Sequence, residues 1–303
     1  MSQVTVKRRM GESDVAEVFE LVSAVAAADG HRPLGEHKWL DLVHGGRKGF
    51  AGFTAREADH GPLVGYAQLS HGHRTWGVEV VVPPERRGPG CSEAHDLLVA
   101  ALGEVARQGG GHVHLWVPKP NAWWDQTAAS CGLQRGRDLY QMRRELPVDD
   151  PTPRVDVRPF VPGDDEVAWL EVNNRAFAAH PEQGNWDLDT VLEREAESWF
   201  DPDGFLLHER DGRLAAFCWT KVHGGEHPMG EIYVIGVDPD FQGLGLGRAL
   251  VLSGLDYLAS LRIPTAMLYV DAANTAAVGL YKALGFTVDH TDRAYTGDVR
   301  SSR

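Results

Sequence analysis

Val237-Asp238-Pro239-Asp240-Phe241-Gln242-Gly243-Leu244-Gly245-Leu246-Gly247-Arg248-Ala249-Leu250 is the stretch on which the reading of the whole chain turns. An apolar, β-branched run from Ile232 to Val237 stops at a turn, and a glycine-spaced loop then opens into an amphipathic helix. Glycines in the first turn let the backbone come close to a ligand. The helix start aims unpaired N–H groups and a partial positive charge at it. Together these make a pyrophosphate cradle. The spacing Gln-x-x-Gly-x-Gly separates it from two better-known cradles. No Gly-Lys-Ser/Thr follows, as a nucleoside triphosphate loop requires. A dinucleotide fingerprint would place its glycines directly after the strand, with an acidic residue about 20 positions on.

A second motif follows at the expected distance. Leu268-Tyr269-Val270 reads as a strand, and Asn274, Ala276-Ala277 and Tyr281-Lys282-Ala283-Leu284-Gly285-Phe286 come after it. Alone, the glycines could be an ordinary helix-entry turn and Tyr281 a half-buried core aromatic. In this order, Gln-x-x-Gly-x-Gly after a Val-x-Pro strand end and Asn-x-x-Ala…Tyr-x-x-x-Gly-Phe resemble the GNAT superfamily of N-acetyltransferases. The first motif then corresponds to that family's acetyl-coenzyme A loop.

Composition bounds the alternatives. The chain has 303 residues, which suits two domains, and 43% hydrophobic residues, ample for globular cores. Its net charge of −13 argues against a nucleic-acid or anionic-membrane partner. It does not argue against a phosphorylated ligand, which local dipoles and a few basic side chains can hold. Cys91, Cys131 and Cys218 are scattered and suggest neither a disulfide framework nor a thiolate zinc site. His71 with His73, and His112 with His114, alternate as on one strand face, but no third ligand stands at sensible spacing, so no metal is expected. Met1 to Lys7 lacks a signal-peptide core, and no run of about 20 apolar residues exists. A soluble, cytoplasmic monomer is expected.

The halves of the chain resemble each other. Val270 lies 153 residues after Val117, Asn274 153 after Asn121, and Gly285 153 after Gly132. Val80-Val81-Val82-Pro83-Pro84 and Arg87 to Ser92 align with Ile235 to Pro239 and Gln242 to Gly247, Gly245 standing 155 residues after Gly90. Val4-Thr5-Val6-Lys7 matches Val155-Asp156-Val157-Arg158. Such a long period is domain duplication rather than a solenoid. Leu146 to Pro153, with three prolines and two acids, reads as an exposed linker, giving domains at 1–146 and 154–303. Each half reads as mixed α/β. An opening strand is followed by a helix (Asp14 to Ala28; Asp164 to Ala178) and middle strands (Gly61 to Leu69; Arg213 to Val222). The loop-to-helix unit, another strand, a short helix and a last strand (near Asp138 to Arg144; Thr287 to Tyr295) complete it. The resemblance implies that each half is one GNAT acyl-CoA N-acyltransferase domain, a twisted mixed sheet flanked by helices.

Acetyl transfer from a thioester to an amine needs a positioned, uncharged amine and two proton movements. Glu231 begins the strand that ends at the cradle and is the candidate base; otherwise it is an exposed strand-start acid. The resemblance places Tyr281 to protonate the coenzyme A sulfur and the Val237 N–H to polarise the thioester oxygen. In the first half the corresponding positions read as Trp76 and Ala128, Pro89 has no N–H, and Ser92 replaces the last glycine. The C-terminal domain is therefore expected to be catalytic and the N-terminal domain non-catalytic.

Further segments are similar to the mycothiol synthase family of tandem GNAT proteins. They are Val172 to Gly184, Trp199 to Gly204, Trp219 to His223 and Gly230 to Pro239, with Pro33 to Glu36 and Gln141 to Arg144 in the first half. That family acetylates the cysteinyl amine of cysteinyl-glucosaminyl-inositol, an amino-sugar-inositol small molecule. The resemblance implies substrate contacts at Glu36, Glu182, Lys221, Glu231 and Tyr269. Glu36 would bring the non-catalytic half to the substrate. For acetyl-coenzyme A, the co-substrate, it implies Ile235, Gly236, Val237, Gln242, Gly243, Leu244, Gly245, Leu246, Gly247, Arg248, Asn274, Thr275, Ala276, Ala277, Val278 and Gly279. In the first half it implies Val80, Val81, Val82, Gly88, Pro89, Gly90, Cys91, Ser92 and Glu93, a set weakened by Pro89 and Ser92. The residues leave two alternatives open: a tandem acetyltransferase for another amine, such as a protein N-terminus or an aminoglycoside, and a non-catalytic acetyl-coenzyme A sensor.

Overall fold

Runs of β-branched and aromatic residues bounded by glycine, proline and asparagine fold as strands, and most, though not all, of the helices open on acidic residues. The computed structural model describes residues 3–43, 49–58, 61–72, 75–178, 183–225 and 227–302, with the side chains at positions 36, 37 and 40 outside the description. In chain order the first half builds β1 (Gln3–Lys7), α1 (Glu12–Asp29), α2 (Glu36–Val43), β2 (Ala51–Arg56), β3 (Leu63–His71), β4 (Thr75–Val81), α3 (Glu93–Arg107), β5 (Gly111–Pro118), α4 (Ala122–Ser130) and β6 (Gln134–Glu145). The second half builds β7 (Arg158–Pro159), α5 (Glu166–Ala176), α6 (Leu188–Glu195), β8 (Phe205–Arg210), β9 (Arg213–His223), β10 (Met229–Val237), α7 (Leu246–Ser260), β11 (Thr265–Asp271), α8 (Thr275–Ala283) and β12 (Thr287–Val299).

Packing divides the chain into two compact units, Met1–Leu139 with His290–Arg303, and Tyr140–Asp289. This division falls inside β6 and β12, so each of these strands serves both units. In the first unit β1 to β4 pair antiparallel in succession, β4 runs parallel to β5, and the end of β12 pairs antiparallel with β5. One core packs α3 and α4 against this sheet around Phe53, Leu97, Leu115 and Tyr295. A second core holds α1 and α2 around Val18, Leu42 and Tyr66.

The second unit repeats the plan. β7 to β10 pair antiparallel in succession, and β10 runs parallel to β11. α7 and α8 cover one core around Leu250, Leu255, Leu268 and Phe286. α5 covers the other, an aromatic block in which Trp219 stacks on Phe205 with centroids 4.3 Å apart. α7 lies close on the sheet because the facing positions are glycines. A Cβ on Gly254 would stand 2.7 Å from Cys218 Sγ, and one on Gly230 would stand 2.6 Å from a Leu258 methyl.

Two expectations change. The opening strand predicted at Val155–Arg158 is only Arg158–Pro159. Val155 and Val157 instead pack into the core under α7, and Pro159 has no N–H to continue the ladder. The segment after β6 is a half-buried strap rather than an exposed linker. Leu146 and Val148 pack into the same core, while Asp150 and Arg154 bind Arg248 and Asp256. Cys91, Cys131 and Cys218 are unpaired. The rings of His112 and His114 meet edge to face with centroids 4.9 Å apart, and His73 lies outside the described residues. Among the described residues no cluster of His, Cys, Asp or Glu could hold a metal, and no helix is long and apolar enough to cross a membrane.

Candidate active site

The strand β10 sets the geometry of the second unit. It pairs with β11 only from Met229 to Ile232, then diverges, while its other edge stays on β9 as far as Val237. At Tyr233 the β9 register shifts by one residue, a bulge. The Asp238 N–H bonds the Ala215 carbonyl at 2.9 Å. Because hydrogen-bonded pairs alternate along an antiparallel ladder, Gly236 and Val234 also turn their N–H groups to β9. Ile235 and Val237 then direct theirs to the edge from which β11 has moved away.

Beyond β10 the chain is pinned before it reaches the glycines. The buried Asp238 carboxylate accepts the Asp240 N–H (2.9 Å) and the Arg175 guanidinium (3.2 Å). Gly243 and Gly245 adopt φ of +79° and +78°, a region where an L side chain is strained. Gly245 caps α7, whose first turn carries no carboxylate to oppose an anion. A groove of about 290 Å³ opens here, lined by Val237, Phe241, Gln242, Gly243, Gly245, Leu246, Gly247, Arg248 and Leu280. A Cβ on Gly243 or Gly245 would meet nothing within 4 Å, so the loop has room for a ligand against its backbone. Arg248 is held by Asp150 (2.6 Å) and Thr152 (3.2 Å). Asn274 uses its Oδ1 to cap α8 through the Ala277 N–H at 3.1 Å.

The polar groups gather on the face of the sheet opposite α7. Glu231 stands directly across from Lys221, and Met267 is its partner on β11, so the alternation of side chains puts Lys221, Glu231 and Tyr269 on one face. Glu231 is 8% and Lys221 5% exposed. The Lys221 ammonium lies 4.2 Å from the Trp199 ring centre and 5.5 Å from that of Tyr233. His223 Nε2 is 2.7 Å from Glu231 Oε2. Tyr269 is 41% exposed, and its hydroxyl accepts from Gln141 Nε2 at 2.7 Å. On α8, Tyr281 is 7% exposed and edge-on to Phe286; burial pushes its hydroxyl up to about 12. Glu182 lies outside the described residues, and Glu36 begins α2 in the first unit with its side chain outside the description.

The corresponding face of the first unit is built differently, with Lys38 and Glu79 among its charged groups. Val78 pairs with Leu115 as Ile232 pairs with Leu268, so the counterpart of Glu231 is Gly77, not Trp76. The slip of one residue is the bulge at Tyr233, which β4 lacks. Ser70 faces Gly77 where Lys221 faces Glu231. The space is taken by Lys38 of α2, whose ammonium donates to the Gly77 carbonyl at 2.9 Å and to Ser70. Burial lowers the Lys38 ammonium from its usual range. Ala128, buried, has no hydroxyl to offer in place of Tyr281. The loop before α3 is also self-neutralised. Glu93 and Asp96 occupy the first turn, Ser92 donates to Asp96 (2.8 Å), and Arg86 is paired with Glu93 and Glu57.

Comparison with known proteins assigns this architecture. The acetyltransferase (GNAT) family matches residues 168–286, inside the second unit. A mycothiol acetyltransferase of Acidimicrobium ferrooxidans is 46% identical over 91% of this chain and 91% of its own, and one of Stackebrandtia nassauensis is 44% identical over 97% and 99%. The chain belongs to the mycothiol acetyltransferase family. It is therefore an acetyl-transferring enzyme. Solved structures agree on the fold: a GCN5-related N-acetyltransferase from Sphaerobacter thermophilus (TM-score 0.76, 21% identity, 99% of this chain and 97% of that one) and a tandem GNAT protein from the clavulanic acid biosynthesis pathway (TM-score 0.73, 16%, 99% and 100%). Trp199 and Tyr233, which flank Lys221, and His223, which meets Glu231, lie inside the family-like segments, but the sequence assigned no contact to them. The Lys221-x-His223 alternation on a strand was the available signal for His223; nothing local in sequence links Trp199 to β10.

Proposed function

We propose that the chain transfers the acetyl group of acetyl-coenzyme A to the cysteinyl amine of cysteinyl-glucosaminyl-inositol, with the second unit as the catalytic one. The observation that carries this is the meeting of Glu231, Lys221 and Tyr269 on one sheet face with a glycine cradle at the end of the same strand, in a chain of this family. Acetyl-coenzyme A, when bound, supplies an activated acetyl group and a thiol leaving group. The groove, the left-handed glycines and the carboxylate-free start of α7 suit its pyrophosphate. Gln242 to Arg248, Ile235 to Val237 and Asn274 to Gly279 would line it. The loop from Gly88 to Glu93 with Val80 to Val82 would at most make a weaker second site.

Each step then has a residue. The Val237 N–H, directed to the open edge of β10, donates to the thioester oxygen as negative charge develops there. Glu231 takes the proton that frees the amine lone pair. Tyr281, kept in its acid form by burial, gives a proton to the departing sulfur. Lys221 donates to hydroxyl or carbonyl oxygens of the substrate beside Tyr269; Glu36 and Glu182 stay as contacts that the family resemblance implies. The first unit, with Gly77 and Ala128 at the two proton-transfer positions, contributes no chemistry of its own.

Thiol release from acetyl-coenzyme A by the purified full chain, with cysteinyl-glucosaminyl-inositol beside glucosamine, an aminoglycoside and a peptide N-terminus, tests the substrate. A strong preference in kcat/KM for the first is the expected result. Turnover confined to another amine would retain the transferase and discard this acceptor.

A further inference from the structure

One polar neighbour of Glu231 has no part in the steps above. His223 lies on β9 two residues beyond Lys221, diagonally across the ladder from Glu231 and on the same face. Its Nε2 is 2.7 Å from Glu231 Oε2, within hydrogen-bond range. The pair also spans a gradient of exposure, the Glu231 side chain being 10% and the His223 side chain 25% exposed. On this face the titratable groups among the described residues include Lys221 of β9, Tyr233 of β10, Tyr269 and Asp271 of β11, and Arg143 of β6 beside Gln141.

The proton balance gives this contact a purpose. An ammonium substrate enters with three N–H bonds and leaves as an amide with one. The new C–N bond takes the nitrogen lone pair, and the broken C–S bond leaves its electron pair on sulfur. Of the two protons lost, one ends on that sulfur by way of Tyr281 and one must leave the protein. The second begins on Glu231, a carboxyl with little access to water. An imidazole changes charge near neutral pH and can accept on one nitrogen and donate from the other.

We infer that His223 is the proton outlet of Glu231: it orients the carboxylate, receives its proton and passes it to solvent. This rests on Glu231 being the base. His223 acts through Glu231 and touches no reacting atom, so it is a positioning residue with a transfer role.

Steady-state kinetics of the full-length His223→Ala and His223→Gln enzymes test it, with Glu231→Gln alongside and thermal melting to verify the fold. Glutamine can keep the hydrogen bond but cannot carry a proton. Both His223 variants should lose about 10- to 100-fold in kcat, with the KM of both substrates nearly unchanged, part of what acid–base catalysis is worth. Added imidazole should restore His223→Ala saturably, and should do nothing for His223→Gln or Glu231→Gln. Wild-type kcat in His223→Gln, a loss in His223→Ala that imidazole does not relieve, or a loss confined to the amine KM overturns the outlet and leaves Glu231 as base. Wild-type kcat in Glu231→Gln overturns the base itself, and the outlet with it.

Discussion

Tyr281 is a phenol held in its acid form by its surroundings. It sits among Val278, Leu284 and Phe286, and this burial pushes its hydroxyl up to about 12. A group that acts while protonated sustains the rate as pH rises and loses it only on passing its own pKa. The kcat of the enzyme should therefore stay level from about pH 8 to 10, where a tyrosine at its ordinary value of about 10 would already be titrating. Tyr281→Phe should lower kcat by about 100-fold or more across that range, because the departing thiolate loses its proton donor. A kcat–pH profile of both proteins checks this; a descending limb that begins near pH 9 in the wild type and vanishes in Tyr281→Phe, or a wild-type kcat in Tyr281→Phe, would contradict it. Tyr281 was legible from its place in the Tyr-x-x-x-Gly-Phe motif. Its environment was not, because that depends on Phe286 folding back under α8 and on β9 passing beneath. Likewise the pairing of Glu231 with His223 is a relation between two strands, and no local pattern encodes it.

At the scale of elements, the loop between β10 and α7 was read almost whole from its spacing, because left-handed glycines and a helix start are local properties. The left-handed φ at Gly243 and Gly245 is what the structure adds to that reading. The bulge at Tyr233 was not readable, since a bulge exists only relative to a partner strand. It is why carrying Glu231 back by the 155-residue spacing of the glycine loops gives Trp76 whereas the register gives Gly77. The loop makes its own prediction. Gly245→Ala forces a side chain into the left-handed region, a strain of about 1–2 kcal/mol, and places a methyl where a ligand would approach. The KM for acetyl-coenzyme A should rise about tenfold, equivalent to 1.4 kcal/mol, with the amine KM unchanged. Gly90→Ala in the first unit meets comparable strain, at φ +87° with nothing within 4 Å, yet should leave both KM values as they are. Equal effects from the two substitutions would assign turnover-relevant binding to both loops.

For the whole molecule, duplication was plain from the constant spacing of the two halves, but a cut at the strap does not follow the packing. Residues 290–303 belong with the first unit, where Asp292 to Val299 pair with β5, Tyr295 is buried and its hydroxyl bonds Asp125 at 2.8 Å. Tyr140, Met142, Leu146 and Val148 belong to the core under α7. A fragment of residues 154–303 therefore lacks part of its own core and carries a strand that belongs elsewhere. It should show no cooperative thermal transition by near-ultraviolet circular dichroism, whereas the full chain should melt cooperatively; a cooperative melt with full turnover from the fragment would overturn this division. The central claim is that one carboxylate in the second unit drives acetyl transfer to a single amine. Its most direct test is kcat/KM for cysteinyl-glucosaminyl-inositol, measured at saturating acetyl-coenzyme A in wild-type and Glu231→Gln enzymes of matched stability. The account predicts a fall of about 100- to 10,000-fold, the usual worth of a positioned base, with acetyl-coenzyme A binding intact. An unchanged kcat/KM in Glu231→Gln would contradict it.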